Sequence, residues 1–89
     1  APPDLDVAEV ERRLRALDGV ADVHQLRIWT ITSGVEAASV HVSVDADDRI
    51  HPVLDEARAV LAEAGVTQMT VQVEPVAHDD RSVEPAAAG

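Results

Sequence analysis

The sequence predicts an α+β domain in the order helix, strand, strand, helix, strand (αββαβ), with two helices on one face of a three-stranded mixed sheet. Three observations carry this. Apolar residues recur at helical spacing in two stretches and at two-residue spacing in three others. Gly19, Gly34, Gly65 and Pro75 punctuate the stretches at their ends. The second helical stretch lies between two strands, so it forms a crossover, which is expected to be right-handed.

Pro2 and Pro3 lie in the lead-in to the first helix. Asp6 and Glu9 have the spacing of a capping box. Val7, Val10, Leu14 and Leu17 then share one helical face, and Gly19 is a natural stop. The expected helix is Val7 to Leu17, with Glu9–Arg13 and Glu11–Arg15 as acid-before-base pairs. Val23 to Thr32 reads as a strand, with Leu26 and Ile28 inward and Gln25, Arg27 and Trp29 outward. Ser33-Gly34 is the turn of a hairpin. Ala37 to Asp45 is the second strand, with Ala38, Val40, Val42 and Val44 inward and Ala37, Ser39, His41 and Ser43 outward.

Asp45 to Asp48 forms an acidic loop and a helix start. The stripe Ile50, Val53, Leu54, Ala57, Leu61, Ala64 defines the second helix. Pro52 belongs in its first turn, where the missing N–H matters least, and Gly65 ends it. Gln68 to Glu74 is the third strand, with Met69, Val71 and Val73 inward and Thr70, Gln72 and Glu74 outward. The domain therefore spans 5–75. The remainder, 76–89, mixes Ala, Pro and charges and is expected to be a flexible tail.

The 89 residues suffice for one domain. With one aromatic residue, Trp29, the core must be aliphatic. Small folds with such cores often gain stability by oligomerising. The net charge of −10, with seven Arg and no Lys, argues against nucleic acid, whose phosphates need a basic face. It also argues against anionic lipid. Zero cysteines exclude disulfides and thiolate zinc sites. No apolar run approaches the roughly 20 residues that span a bilayer, and a signal peptide is not expected. Because the chain begins at Ala1, it is expected to be a piece of something longer.

The uncovered sheet face would carry Arg27, Trp29, His41, Gln72 and Glu74. A second copy of the domain is the simplest partner for it, and Arg27 and Trp29 are the candidate dimer-interface residues. His41 is outward by alternation and near Glu74, a pairing that suits zinc and similar ions; a solvent-facing histidine is the alternative. His24 has the parity of Leu26 and Ile28, which places it inward unless a bulge turns it out. His51 opens the second helix and alone reads as a surface histidine. His78 lies in the tail beside Asp79 and Asp80.

Taken together, Val23-His24-Gln25-Leu26-Arg27-Ile28-Trp29-Thr30-Ile31-Thr32-Ser33-Gly34, Ala38-Ser39-Val40-His41-Val42 and Val71-Gln72-Val73-Glu74-Pro75 resemble the cytoplasmic C-terminal domain of cation diffusion facilitators. The resemblance runs from about Leu5 to Pro75. It implies a ferredoxin-like (metallochaperone-like) fold. It also implies a soluble domain on the cytoplasmic side of the cell membrane, belonging to a membrane-embedded, proton-coupled exporter of zinc and related divalent cations. Such domains are expected to form homodimers and to bind metal, which tightens the dimer and favours transport. Carried over by position, His24, His41 and Glu74 are the implied metal ligands, and His51 is implied to reach the site from the partner subunit. Zn2+ is the expected ion, with Mn2+, Co2+, Ni2+ and Fe2+ taking similar ligands. Two positions depart from the family: Gln72 stands where some members have a ligating histidine, and Arg27 where many repeat His.

A ferredoxin-like small-molecule-sensing domain is the competing reading. Such domains usually begin with a strand, and no Gly-rich or Asx-rich ligand loop is present here. An enzyme is not expected. Ser39 and Ser43 lie two residues either side of His41, a poor geometry for nucleophilic catalysis.

Overall fold

A computed structural model describes residues 5–76. It contains α1 (Val7–Arg15), β1 (Val20–Thr32), β2 (Val35–Val44), α2 (Ile50–Glu63) and β3 (Val66–Pro75), with a short 3-10 turn, Asp47–Arg49, leading into α2. The expected αββαβ order is present. The sheet order is β1-β2-β3, with β1 and β2 an antiparallel hairpin and β2 and β3 parallel across α2. The proposed tail and His78 fall outside the described residues, apart from Val76.

The helices begin and end for local reasons. Asp6 caps α1, its Oδ1 accepting from the Ala8 and Glu9 amides at 3.0 and 3.3 Å, a contact of a kind that contributes about 1 kcal/mol. Of the two anticipated ion pairs, Glu11–Arg15 forms. Glu9 pairs with Arg12 instead, and Arg13 reaches across to Glu63 of α2. The Arg13 side chain is thus taken by a tertiary partner rather than by its own helix. Helix α1 stops at Arg15, earlier than the expected Leu17. Its last amides tighten into three-residue turns, Ala16 to Arg13 and Leu17 to Leu14, both at 3.2 Å. Helix α2 ends at Glu63, with Ala64 as its C-cap, followed by Gly65 at φ +98°, where a side chain would be strained.

The strands are longer than expected. β1 starts at Val20 rather than Val23, β2 at Val35 rather than Ala37, and β3 runs from Val66 to Pro75 rather than from Gln68 to Glu74. Tertiary pairing extends them past residues with weak strand preference: Glu36 pairs with both Thr30 and Val66, and Val20 pairs with Val44. At the other end β2 stops at Val44, one residue short of Asp45.

Both helices cover the same sheet face. Val10 and Leu14 from α1, and Val53, Ala57, Val60 and Leu61 from α2, pack on Val23, Ala38, Val40, Val42 and Val44. Leu14, Leu61, Val42, Val44 and Val53 are wholly buried. Val60 was not part of the expected stripe but is buried within it. The opposite face has no cover among the described residues, and Trp29 and Ile31 stand on β1 at 45% and 55% exposure. Among the described residues, no helix is long and apolar enough to cross a membrane.

Candidate metal centre

Three side chains from three strands meet on the uncovered face. His41 lies between Val40 and Val42, which are fully buried on the helix side, so alternation turns it to the open side. The Cα partner of His41 on β1 is His24, and on β3 it is Gln72. One step along, Ser43 pairs with Glu74 of β3. Cross-strand partners share a face, so His24, His41, Gln72, Ser43 and Glu74 all lie on the open side.

The position of His24 corrects the parity assignment. By strict alternation it belonged with Leu26 and Ile28 on the covered side. The structure contains a bulge between His24 and Arg27: the register passes from His24↔His41 to Arg27↔Ser39, three residues on β1 against two on β2. Gln25 absorbs the extra residue at φ +57°. That is the left-handed region, which holds about 1–2 kcal/mol of strain for a residue with a side chain. Gln25 is therefore the bulged residue rather than an ordinary outward strand position. Beyond it Leu26 and Ile28 pack on the core as expected, and before it Val23 is buried. The bulge flips the alternation and leaves His24 facing His41.

The two imidazole rings lie 5.4 Å apart between centroids, tilted by 42°. One potential ligand atom each from His24, His41 and Glu74 falls within 4.8 Å of the others. Two donors on a common first-row ion sit about 3.3 Å apart, given bonds of roughly 2.0–2.2 Å. Side-chain rotation of this order closes the difference, because His24 is 43% exposed and Glu74 is exposed as well. Two nitrogens and one carboxylate oxygen fit zinc and its neighbours, with a fourth position left for another donor.

Asp22 is a residue that sequence reasoning missed. Its Cα partner is Ser43, so it lies on the same face, one step from His24. Its Oδ2 stands 3.6 Å from His24 Nδ1. Arg15 holds the other oxygen: Nη1 donates to Asp22 Oδ1 at 3.0 Å, Nη2 to the Val23 carbonyl at 2.8 Å, and Nε to Glu11 Oε2 at 2.9 Å. The hydrogen bond from Arg15 keeps the Asp22 carboxyl below its ordinary range, and the two carboxylates raise Arg15. The signal was available, since Asp22 and His24 stand two apart on one strand and so share a face.

The other candidates lie elsewhere. His51 is exposed in the first turn of α2 and is not one of the three converging groups. Arg27 and Trp29 pair with Ser39 and Ala37, further along the open face. Trp29, Ile31, Ala37, Gln68 and Thr70 are among the residues lining a shallow depression of mixed polarity at that end.

Residues 2–76 match the family described as cation efflux protein, cytoplasmic domain. The chain is 35% identical over 81 residues to a cadmium, cobalt and zinc/H(+)-K(+) antiporter of Bacillus subtilis, covering 88% of this chain and 26% of that protein. It is 40% identical over 77 residues to the metal cation efflux system protein CzcD of Cupriavidus metallidurans, covering 82% and 24%. The chain thus spans about a quarter of the length of the curated relatives it matches. Among solved structures, the metal-bound C-terminal domain of that CzcD transporter superposes with a TM-score of 0.71 at 39% identity, covering 79% of this chain and 99% of the other. The zinc form of a MamM C-terminal domain variant, at 18% identity and a TM-score of 0.65, shares the fold and covers 84% of this chain and 87% of its own.

Proposed function

The chain belongs to the cation efflux family, as its cytoplasmic domain, and from that premise we propose that it is the metal-binding, dimerisation and regulatory domain of a proton-coupled divalent-cation exporter, with zinc as the leading ion. The convergence of His24, His41 and Glu74 from three strands is the observation that carries this reading. The relatives named above are transporters, which favours a binding role over catalysis.

In this reading His24 and His41 each give one ring nitrogen and Glu74 one oxygen. A bound divalent ion supplies a fixed positive charge that draws the three strands' side chains together. Gln72, paired with His41, stands where a further histidine would strengthen the cage. The fourth position is left to water or to His51 of a second copy. The acidic surface raises the local concentration of cations. A second copy would cover the open face, with Trp29 and Arg27 at the seam.

Regulation then follows from population shift. An ion that binds one arrangement of two domains better than another moves the equilibrium by that difference in affinity. Neutral imidazole is required, so acidification releases the ion. Calorimetric titration with zinc on the wild type and on His41→Ala tests the reading. Stoichiometric uptake by the wild type and its loss in the variant are expected; equal uptake by both would remove His41 from the site.

A further inference from the structure

We propose that Asp22 is the positioning residue of His24: its Oδ2 accepts a hydrogen bond from Nδ1–H of the ring and so commits Nε2 to the metal. The inference rests on the reading of His24 as a ligand.

Two rows of side chains cross the open face. Asp22, Ser43 and Glu74 form one, and His24, His41 and Gln72 form the other. Glu74 enters the ligand group from the first row. Asp22, at the other end of that row, stands beside His24 on β1, its Oδ2 3.6 Å from the ring's Nδ1. That separation is just beyond a hydrogen bond, and a ring rotation of roughly half an ångström brings it into range. A neutral imidazole has one donor nitrogen and one acceptor, so fixing the proton on Nδ1 leaves the Nε2 lone pair for an ion. Ligating histidines commonly hold their second nitrogen against a carboxylate in this way, and losing that carboxylate weakens metal binding by about 10- to 100-fold.

Asp22 is itself held. Arg15 grips its Oδ1 and the neighbouring Val23 carbonyl, and Glu11 grips Arg15. The carboxylate is therefore anchored to α1 by one oxygen, with the other turned toward the ring. The bulge at Gln25 matters here too: it lies beyond His24, so Asp22 and His24 keep the alternation that puts them on one face. Asp22 is thus a support and not a further ligand. Its charge is already shared with Arg15, which would oppose its moving onto the ion.

The test uses the full chain, labelled with 15N, with zinc as the probe. Ring-nitrogen NMR on the zinc-loaded protein should show the His24 proton on Nδ1 and the metal on Nε2. Calorimetry should show Asp22→Ala binding zinc about 10- to 100-fold more weakly. Asp22→Asn should fall between the two, because its amide oxygen still accepts a hydrogen bond from Nδ1–H. Asp55→Ala removes the same charge from the exposed side of α2 and should bind as the wild type. Backbone amide spectra establish that each variant is folded. The proposal is overturned if His24 binds through Nδ1, or if Asp22→Ala loses no more affinity than Asp55→Ala. If the wild type takes up no zinc, the metal-centre reading fails by itself. The metal-free tautomer then judges Asp22, since a His24 proton on Nε2 would overturn its role.

Discussion

The two faces of the one sheet are made by alternate residues of the same strands, yet they obey different rules. On the covered face, Val40, Val42 and Val44 are closed off by α1 and α2, and only volume and branching matter. On the open face, His24, His41 and Glu74 bring potential donor atoms within 4.8 Å of one another and stand in partial contact with water. The comparison teaches that stability and chemistry are separable here at single-residue resolution. The register shift between His24 and Arg27 breaks the alternation beside the converging side chains. Gln25 sits in a left-handed conformation that glycine would occupy more easily, and the result is that His24 faces His41. A strained residue next to a functional side chain is where such strain is expected to be tolerated.

Substitutions on each face should separate these rules. The largest effect belongs to the covered face. Leu61→Ala removes a wholly buried side chain from an aliphatic core, and should cost about 2–5 kcal/mol of stability by chemical denaturation. For so small a domain, that is enough to unfold much of the population at physiological temperature. The open-face counterpart, His41→Ala, should leave the metal-free stability within about 0.5 kcal/mol of wild type. It should also abolish the rise in melting temperature that zinc confers. A matching loss of metal-free stability would mean that His41 belongs to the core after all.

Two smaller effects sharpen the comparison. Gln72→His places a further imidazole in register with His41, and calorimetry should show zinc affinity rising about tenfold, or 1.4 kcal/mol. No change would mean that the third strand's end is too far from the ion at that position. Gln25→Gly relieves the left-handed strain at the bulge. It should raise metal-free stability by about 0.5–1 kcal/mol, net of the extra freedom of the unfolded chain. A loss of stability there would mean that the Gln25 side chain makes contacts outweighing its strain.

Most of the covered face was legible because alternation and helical spacing report burial directly. Val40, Val42, Val44, Leu14 and Leu61 could be placed from pattern alone. The open face was legible only in part. His41 followed from its buried neighbours, and Glu74 from the parity of the third strand. His24 did not follow, because a bulge reverses parity without any composition signal when the bulged residue is Gln rather than Gly or Asn. Resemblance to known transporters pointed to His24 where periodicity pointed away from it. Long-range pairing hid the rest: Arg13 prefers Glu63 of the other helix to its own Glu9, and strand ends extend wherever a neighbour offers its backbone.

The central claim is that the three converging side chains form one metal centre. A crystal grown with zinc, with anomalous scattering recorded at the zinc edge, tests it most directly. The expected map has a peak about 2.0–2.2 Å from one nitrogen each of His24 and His41 and from a carboxylate oxygen of Glu74. A peak held by other residues, with these three left unbound, would contradict it.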